Sequence, residues 1–418
     1  MTGRKYNVYS LLIFIYTLFL FKLTGGLTDS YSTTSYAFSY LEYGLASRML
    51  LSTVYDLFCR IIPDLRTAAG CLYFMIAINI VMYFTFWRFG RYIRSKITDE
   101  VRNRAFSILY LLGMMIVCVS FSSLSNFGKT DSFLFICTII QTYLLIEEKH
   151  EWLIIPLNIL QVCTHEGFLC MTACVNNAIL AYNIARSQNK RKYILLLAGS
   201  LVSICAPAVY FVFFKDHGTY EQFVSAFKYA SSLNYRGSVH SNYIAQRLGM
   251  DVPEGYAVIK DAEYKEKEMI ELPVFLCTWF LPYILICLKF IKNIFRLEKR
   301  KGTYIGMGLI VILLIMVEFI IFCDFGRYFV WYVYSFVMLM SFLAVKDKAA
   351  GNALASTVDR RDIIYYLLAL FTLLSLPYGS SFISIPTSLI AGKIQELFKA
   401  KTTLPLPEFD ITRKGGLM

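Results

Sequence analysis

Read from the amino terminus, the chain alternates long apolar runs with short polar connections, and this alternation has the period of neither an exposed helix nor a strand. Apolar runs occupy 8 to 24, 68 to 87, 105 to 124, 132 to 146, 152 to 164, 168 to 185, 193 to 214, 272 to 291, 304 to 323, 328 to 345 and 363 to 379. A bilayer core about 30 Å thick takes roughly 20 helical residues to cross, and most of these runs have that length. A transmembrane β-barrel would instead show alternating segments of about ten residues, which are absent. The pattern therefore predicts an all-α polytopic bundle of about eleven spans, with residues 1 to 418 forming one integral membrane domain.

Two segments fall outside the runs. Residues 25 to 67 contain Phe38, Leu41, Leu45 and Met49 at three- to four-residue spacing, with Glu42 and Arg48 off that line. This predicts an amphipathic helix lying in the membrane interface. Residues 215 to 271 form the longest polar loop, and Tyr220, Phe223, Phe227, Tyr229, Tyr235 and Tyr243 are too aromatic a set for a disordered linker. A small extracytoplasmic cap of short helices is expected there.

Composition agrees with a membrane class. Hydrophobic residues make up 57% of the chain, charged residues only 17%, and the mean hydropathy is +0.54, which excludes an ordinary soluble enzyme. The net charge is +12, and more than half of the 41 Lys and Arg residues sit in one alternating set of loops: Arg4 and Lys5, Arg88 to Arg104, Arg186 to Lys192, Lys289 to Lys301 and Lys346 to Arg361. By the positive-inside rule those loops are cytoplasmic, as is the amino terminus, and their basic clusters are expected to face anionic lipid headgroups. An uncleaved first span fits better than a signal peptide, since no small-x-small cleavage pattern follows it. The 11 cysteines lie almost all within spans and read as small buried residues. Cys170 and Cys174, one turn apart, lack the further ligands a metal site needs.

The opposite loops hold the residues with chemical potential. His165 and Glu166 interrupt a nearly continuous apolar stretch from Trp152 to Tyr182, which is too long for one span and short for two. Two short helices meeting near Gly167 would hold both groups at or just below the outer interface, a depth at which ionisable groups usually belong to a site. The competing reading is a pair that satisfies itself or caps a helix. Asn126, Gly128, Lys129 and Asp131 form a very short outer connection, where Lys129 could meet a phosphate while Asp131 orients it or simply starts a helix. Asp324 and Arg327 flank Gly326 at another tight turn, suited to phosphate recognition or to a local bridge. Asp29 follows the first span directly.

An acidic residue just after the first span, an interfacial helix, many further spans and an outer polar site resemble the GT-C type of membrane glycosyltransferase. The layout is also similar to the polytopic polymerases and transferases of bacterial capsule and O-antigen clusters. Residues 125 to 169, SNFGKTDSFLFICTIIQTYLLIEEKHEWLIIPLNILQVCTHEGFL, and 43 to 51, YGLASRMLL, carry that likeness. Asp29 stands alone where GT-C enzymes often have an acidic pair. The resemblance implies sugar transfer from a polyprenyl-phosphate-linked donor at the outer face of the bacterial cytoplasmic membrane. A carboxylate or imidazole (Asp29, Glu166 or His165) would take the acceptor proton, and Arg48, Lys129 and Arg327, with Asp131 and Asp324, would hold the phosphate. No nucleotide fingerprint or nucleic-acid signature is present. No resident cofactor or metal is expected, although a divalent cation is compatible with the chemistry; the partners would be the lipid-linked glycan, membrane lipids and other polysaccharide-assembly proteins. A transporter or flippase of lipid-linked oligosaccharide would need polar groups through the membrane depth. Gln141, Asn158 and Glu318 are the candidates for that reading, and a non-catalytic scaffold is a third.

Overall fold

A computed structural model describes residues 3 to 23, 30 to 44, 48 to 121, 127 to 165, 168, 172 to 214, 218 to 235, 239, 241 to 250, 281 to 297, 301 to 321 and 325 to 358, and all regular structure among them is helical. In chain order the helices are α1 (Gly3–Leu23), α2 (Ser30–Ser35), α3 (Tyr40–Tyr43), α4 (Leu50–Ile61), α5 (Ala68–Lys96), α6 (Glu100–Phe121), α7 (Asp131–Glu147), α8 (Ile154–Thr164), α9 (Ala173–Arg186), α10 (Lys190–Phe213), α11 (Tyr220–Leu233), α12 (Ser241–Arg247), α13 (Leu281–Leu297), α14 (Lys301–Ile321), α15 (Phe325–Lys346) and α16 (Lys348–Thr357). Each apolar run up to 328 to 345 falls at least in part on one of them, while 363 to 379 lies outside the described residues.

Three of these helices, Ala68–Lys96, Glu100–Phe121 and Lys190–Phe211, are long and apolar enough to cross a membrane. A fourth crossing arises if Val330–Lys346 and Lys348–Thr357, bent by 119° at Asp347, count as one broken span. At that bend Asp347 caps α16 through the backbone N–H groups of Ala349 and Ala350, at 2.8 and 3.1 Å, and accepts from the Tyr182 and Tyr304 hydroxyls, both at 2.6 Å. One side chain thus fixes α9, α14 and the α15–α16 corner together.

The bundle has two distinct cores. The larger gathers residues of α1, α5 to α10 and α13 to α16. Within it, a chain of amides and hydroxyls joins α7, α8, α9 and α10. The Gln141 amide donates to Asn158 Oδ1 at 2.8 Å, and Gln141 Oε1 accepts from Gln161 at 2.9 Å and from Asn176 at 2.5 Å. Asn158 then donates to the Ser200 and Ser203 hydroxyls at 3.0 and 3.1 Å, and Ser200 donates to Asn177 Oδ1 at 2.9 Å. All of these groups are buried. In an apolar bundle such bonds set helix register, because the alternative is a polar group facing hydrocarbon. Gln141 and Asn158 therefore serve as helix contacts; the Glu318 side chain lies outside the described residues.

At the other end of α7, the acidic turn Glu147 to Glu151 collects lysines from three helix ends. Lys96 meets Glu147 at 2.7 Å, Lys192 meets Glu151 at 2.6 Å and Lys346 pairs with Glu148. These lysines, expected among lipid headgroups, tie α5, α10 and α15 to the loop at the protein surface.

The second core contains Tyr36, Phe38, Tyr43, Met49, Leu51, Tyr55, Ala226, Leu233, Tyr243 and Ile244. The loop after α1 and the loop after α10 thus pack on each other, over the first turns of α5, as one small cap. The continuous helix expected through Phe38, Leu41, Leu45 and Met49 does not form. Helix α3 stops at Tyr43 because Gly44 takes φ 71°, and Arg48 at φ 62° turns the chain again before α4; Leu45 lies outside the described residues. The amphipathic helix is α4. It buries Leu51, Tyr55 and Cys59 together with Ser52, Thr53 and Asp56, and turns Leu57, Phe58 and Ile61 outward, with Ile61 76% exposed.

Replacing Gln141 with Leu orphans three buried amides at once. We expect a loss of about 2 kcal/mol, read as a lower Tm of the detergent-solubilised chain, whereas an unchanged Tm would show the network to be incidental.

Candidate functional site

Where the cap meets the bundle, Ser32, Ser35, Arg48, Lys129, Thr130, Asp131, His165 and Tyr243 line a small, partly open cleft of about 20 Å³. Every one of these residues carries a hydrogen-bonding side chain, so the cleft suits a polar ligand. It draws on five separate stretches of chain.

Each lining residue has a local reason for its position. Lys129 follows Gly128, which adopts φ 83° and leaves no room for a side chain, since a Cβ there would come within 2.4 Å of Met75 Sδ. Thr130 and Asp131 then open α7, whose register against α5 is held by the Ser132 hydroxyl donating to Asn79 Oδ1 at 3.1 Å. Asp131 itself is fully buried. The amino end of a seventeen-residue helix carries partial positive charge toward the cleft.

His165 is the extended residue that ends α8, 8% exposed, with its backbone N–H on the Gln161 carbonyl at 2.8 Å. The cap reaches down to the same helix end, where the Tyr40 hydroxyl donates to the Cys163 carbonyl at 2.9 Å. Helix α8 spans only eleven residues, about 16 Å at 1.5 Å per residue. Helix α8 ends at Thr164 and α9 begins at Ala173; the turn expected near Gly167 lies outside the described residues.

Arg48 sits in left-handed backbone, a conformation costing about 1 kcal/mol for a residue with a side chain. Such strain persists only where surroundings impose it, and it is enriched at sites. Here it is set between α3 and α4, and both helices are packed into the cap core. Ser32 and Ser35 lie on α2, which α11 covers; the Asn234 amide donates to Thr33 Oγ1 at 3.1 Å across that contact. Burial pushes the Tyr36 phenol above its ordinary range, with smaller contributions from Cys71, Tyr243 and Asp131, so the cap interior and the Asp131 carboxylate are neighbours.

The two halves of the cap are clasped on their outer side. Arg66 binds Asp56 at 3.1 Å and Glu42 at 3.2 Å while its guanidinium lies 5.0 Å from the Tyr229 ring of α11. The adjacent Tyr229 side chain is the main cause raising the guanidinium above its ordinary range, with the two carboxylates adding to it.

Of the residues singled out in the sequence, the structure brings Arg48, Lys129, Asp131 and His165 to one cleft. Asp29, Asn126, Glu166 and Asp324 lie outside the described residues. Arg327 belongs to the first turn of α15, one turn before Trp331, which packs on Phe135 at a ring distance of 4.4 Å; its side chain is not among those described. Ser32, Ser35, Thr130 and Tyr243 were not picked out as site residues. The hydroxyl-rich run Ser30 to Ser35 beside Asp29 was a usable signal for the first two, but nothing local marks Tyr243. Among the described residues no three His, Cys, Asp or Glu side chains gather as metal ligands. Comparison with protein-family profiles, with curated proteins and with solved structures finds no match for this chain.

Two cations, several hydroxyls and the amino end of α7, with the His165 imidazole and the buried Asp131 carboxylate among them, give the cleft groups that could engage a polar ligand such as a phosphate, with a base at hand. Arg48→Gly separates strain from charge. We expect it to hold or raise Tm while weakening pyrophosphate binding by about tenfold or more, since a charge-assisted hydrogen bond contributes roughly 1.5 to 3 kcal/mol. Undiminished binding by that variant would remove Arg48 from the site.

Proposed function

We propose that the chain is a membrane glycosyltransferase or glycan polymerase, acting on a polyprenyl-phosphate-linked donor at the outer face of the bacterial cytoplasmic membrane. The observation that carries this reading is the convergence of Arg48, Lys129 and the amino end of α7 with His165 in one polar cleft at the base of the cap. In this reading the cations and helix end stabilise the departing lipid phosphate. His165, Glu166 or Asp29 takes the proton from the acceptor hydroxyl as its oxygen attacks the anomeric carbon.

The two ends of α7, about 25 Å apart over its seventeen residues, support a bilayer position for this reading. One end opens on the cleft; the other carries Glu147 and adjoins the lysine-clasped turn. In this reading the basic loops at that second end are cytoplasmic and the cleft end external by the positive-inside rule, in a proposed bundle of about eleven spans with its amino terminus inside. Helix α4 supports the same placement. Its outward Leu57, Phe58 and Ile61 suit the hydrocarbon edge, and its mixed buried face belongs to the cap. A lipid phosphate reaching the cleft from the membrane would then arrive beside α4.

Transport of a lipid-linked oligosaccharide loses two of its mid-bundle candidates, Gln141 and Asn158, which are engaged between helices, while its strongest, Glu318, has a side chain outside those described. Cells lacking the chain, complemented with wild type or with His165→Gln, test the choice. Transfer predicts that polymer is lost without wild type while single lipid-linked units accumulate on the outer leaflet. Units trapped on the cytoplasmic leaflet would replace transfer with transport.

A further inference from the structure

The cleft contains one aromatic residue whose surroundings are built rather than incidental. Tyr243 comes from α12, in the loop most distant in sequence from the other lining residues, and is 8% exposed. The edge-on ring of Phe38 packs against it at 6.3 Å, and the guanidinium carbon of Arg247, one helical turn on, lies 4.5 Å from its ring centroid. Arg247 is itself only 5% exposed. A cation held against a phenol ring away from water is worth more than the same contact in solvent. It draws electron density from the ring and so strengthens the hydroxyl as a hydrogen-bond donor.

We propose that Tyr243 presents its hydroxyl to the phosphate of the ligand as a neutral donor, and that Arg247 is a positioning residue that sharpens this donor through the ring. The proposal rests on the phosphate reading of the cleft and adds to it a contact made by the cap. A neutral donor completes the recognition of a phosphate without adding a third cation that would slow release of the product lipid phosphate. It also gives the cap a chemical task, because Tyr243 is the cap's contribution from the second loop while Arg48, Ser32 and Ser35 are those from the first.

The test uses the full chain in detergent with farnesyl phosphate as probe and farnesol as the phosphate-free control, binding being measured by calorimetry. Tyr243→Phe is expected to weaken farnesyl phosphate about tenfold, the scale of one hydrogen bond to a charged group, and to leave farnesol unchanged. 3-Fluorotyrosine placed at position 243, a more acidic phenol of nearly equal size, should tighten binding. Arg247→Gln should weaken it, and 3-fluorotyrosine at 243 in that background should restore most of the loss, which a packing role for Arg247 would not allow. Wild-type affinity in Tyr243→Phe overturns the proposal, as does a fluorinated phenol that changes nothing in either background. A wild-type chain that binds farnesyl phosphate no better than farnesol overturns the phosphate reading itself, and this inference with it.

Discussion

The buried amide chain running from Gln161 and Asn176 through Gln141 to Asn158 and Ser200 is the constraint from which the site follows. Helices α8 and α9, of eleven and fourteen residues, are each too short to cross a bilayer on their own. They stay at a defined depth because their amides bond to α7 and α10 where hydrocarbon offers no substitute. Since Gln161 is fixed against Gln141, the end of α8 one turn later is fixed too. His165 is therefore set near the first turn of α7, where Asp131 and Lys129 already sit. Slip this network by a turn and the imidazole leaves the cleft.

The second constraint is the cap. A polar loop between two spans gains little from folding alone, but here the loops that follow α1 and α10 bury Tyr36, Phe38, Tyr55, Leu233 and Ile244 against each other. That shared core explains how Arg48 can be held at φ 62° and how Tyr243 reaches a cleft otherwise made by the bundle. The Arg66 clasp and the Tyr40 hydroxyl on Cys163 connect the cap internally and to α8. Bundle and cap thus each supply part of the cleft lining.

Much of this was legible in the sequence because bilayer physics writes itself as hydropathy. Apolar runs located the helices, and ionisable residues at expensive depths pointed to Lys129, Asp131 and His165 before any coordinates. Other features depended on pairings that no local pattern encodes. Gln141 and Asn158 looked like path residues because a lone amide in a span has the same signature whether it faces a partner or a pore. The lysines at 96, 192 and 346 looked like headgroup contacts, and only the fold brings Glu147, Glu148 and Glu151 under them. In the first loop, the three- to four-residue spacing of Phe38, Leu41 and Met49 mimicked one helix. Gly44 and the strained Arg48 break it, and the apolar stripe that faces outward begins after them on α4. Tyr243 joins the site across nearly the whole length of the amino-terminal half, a contact no spacing rule anticipates.

The claim on which the account turns is that cap and cleft face the outside of the cell. Cysteine placed at Lys228, exposed on α11, and at Lys149, exposed in the acidic turn, can be challenged in intact cells with a membrane-impermeant maleimide, against the unsubstituted chain as background. The account predicts labelling at 228 in intact cells and at 149 only after lysis. The reverse pattern would put the cleft on the cytoplasmic side and contradict an outer-face transferase.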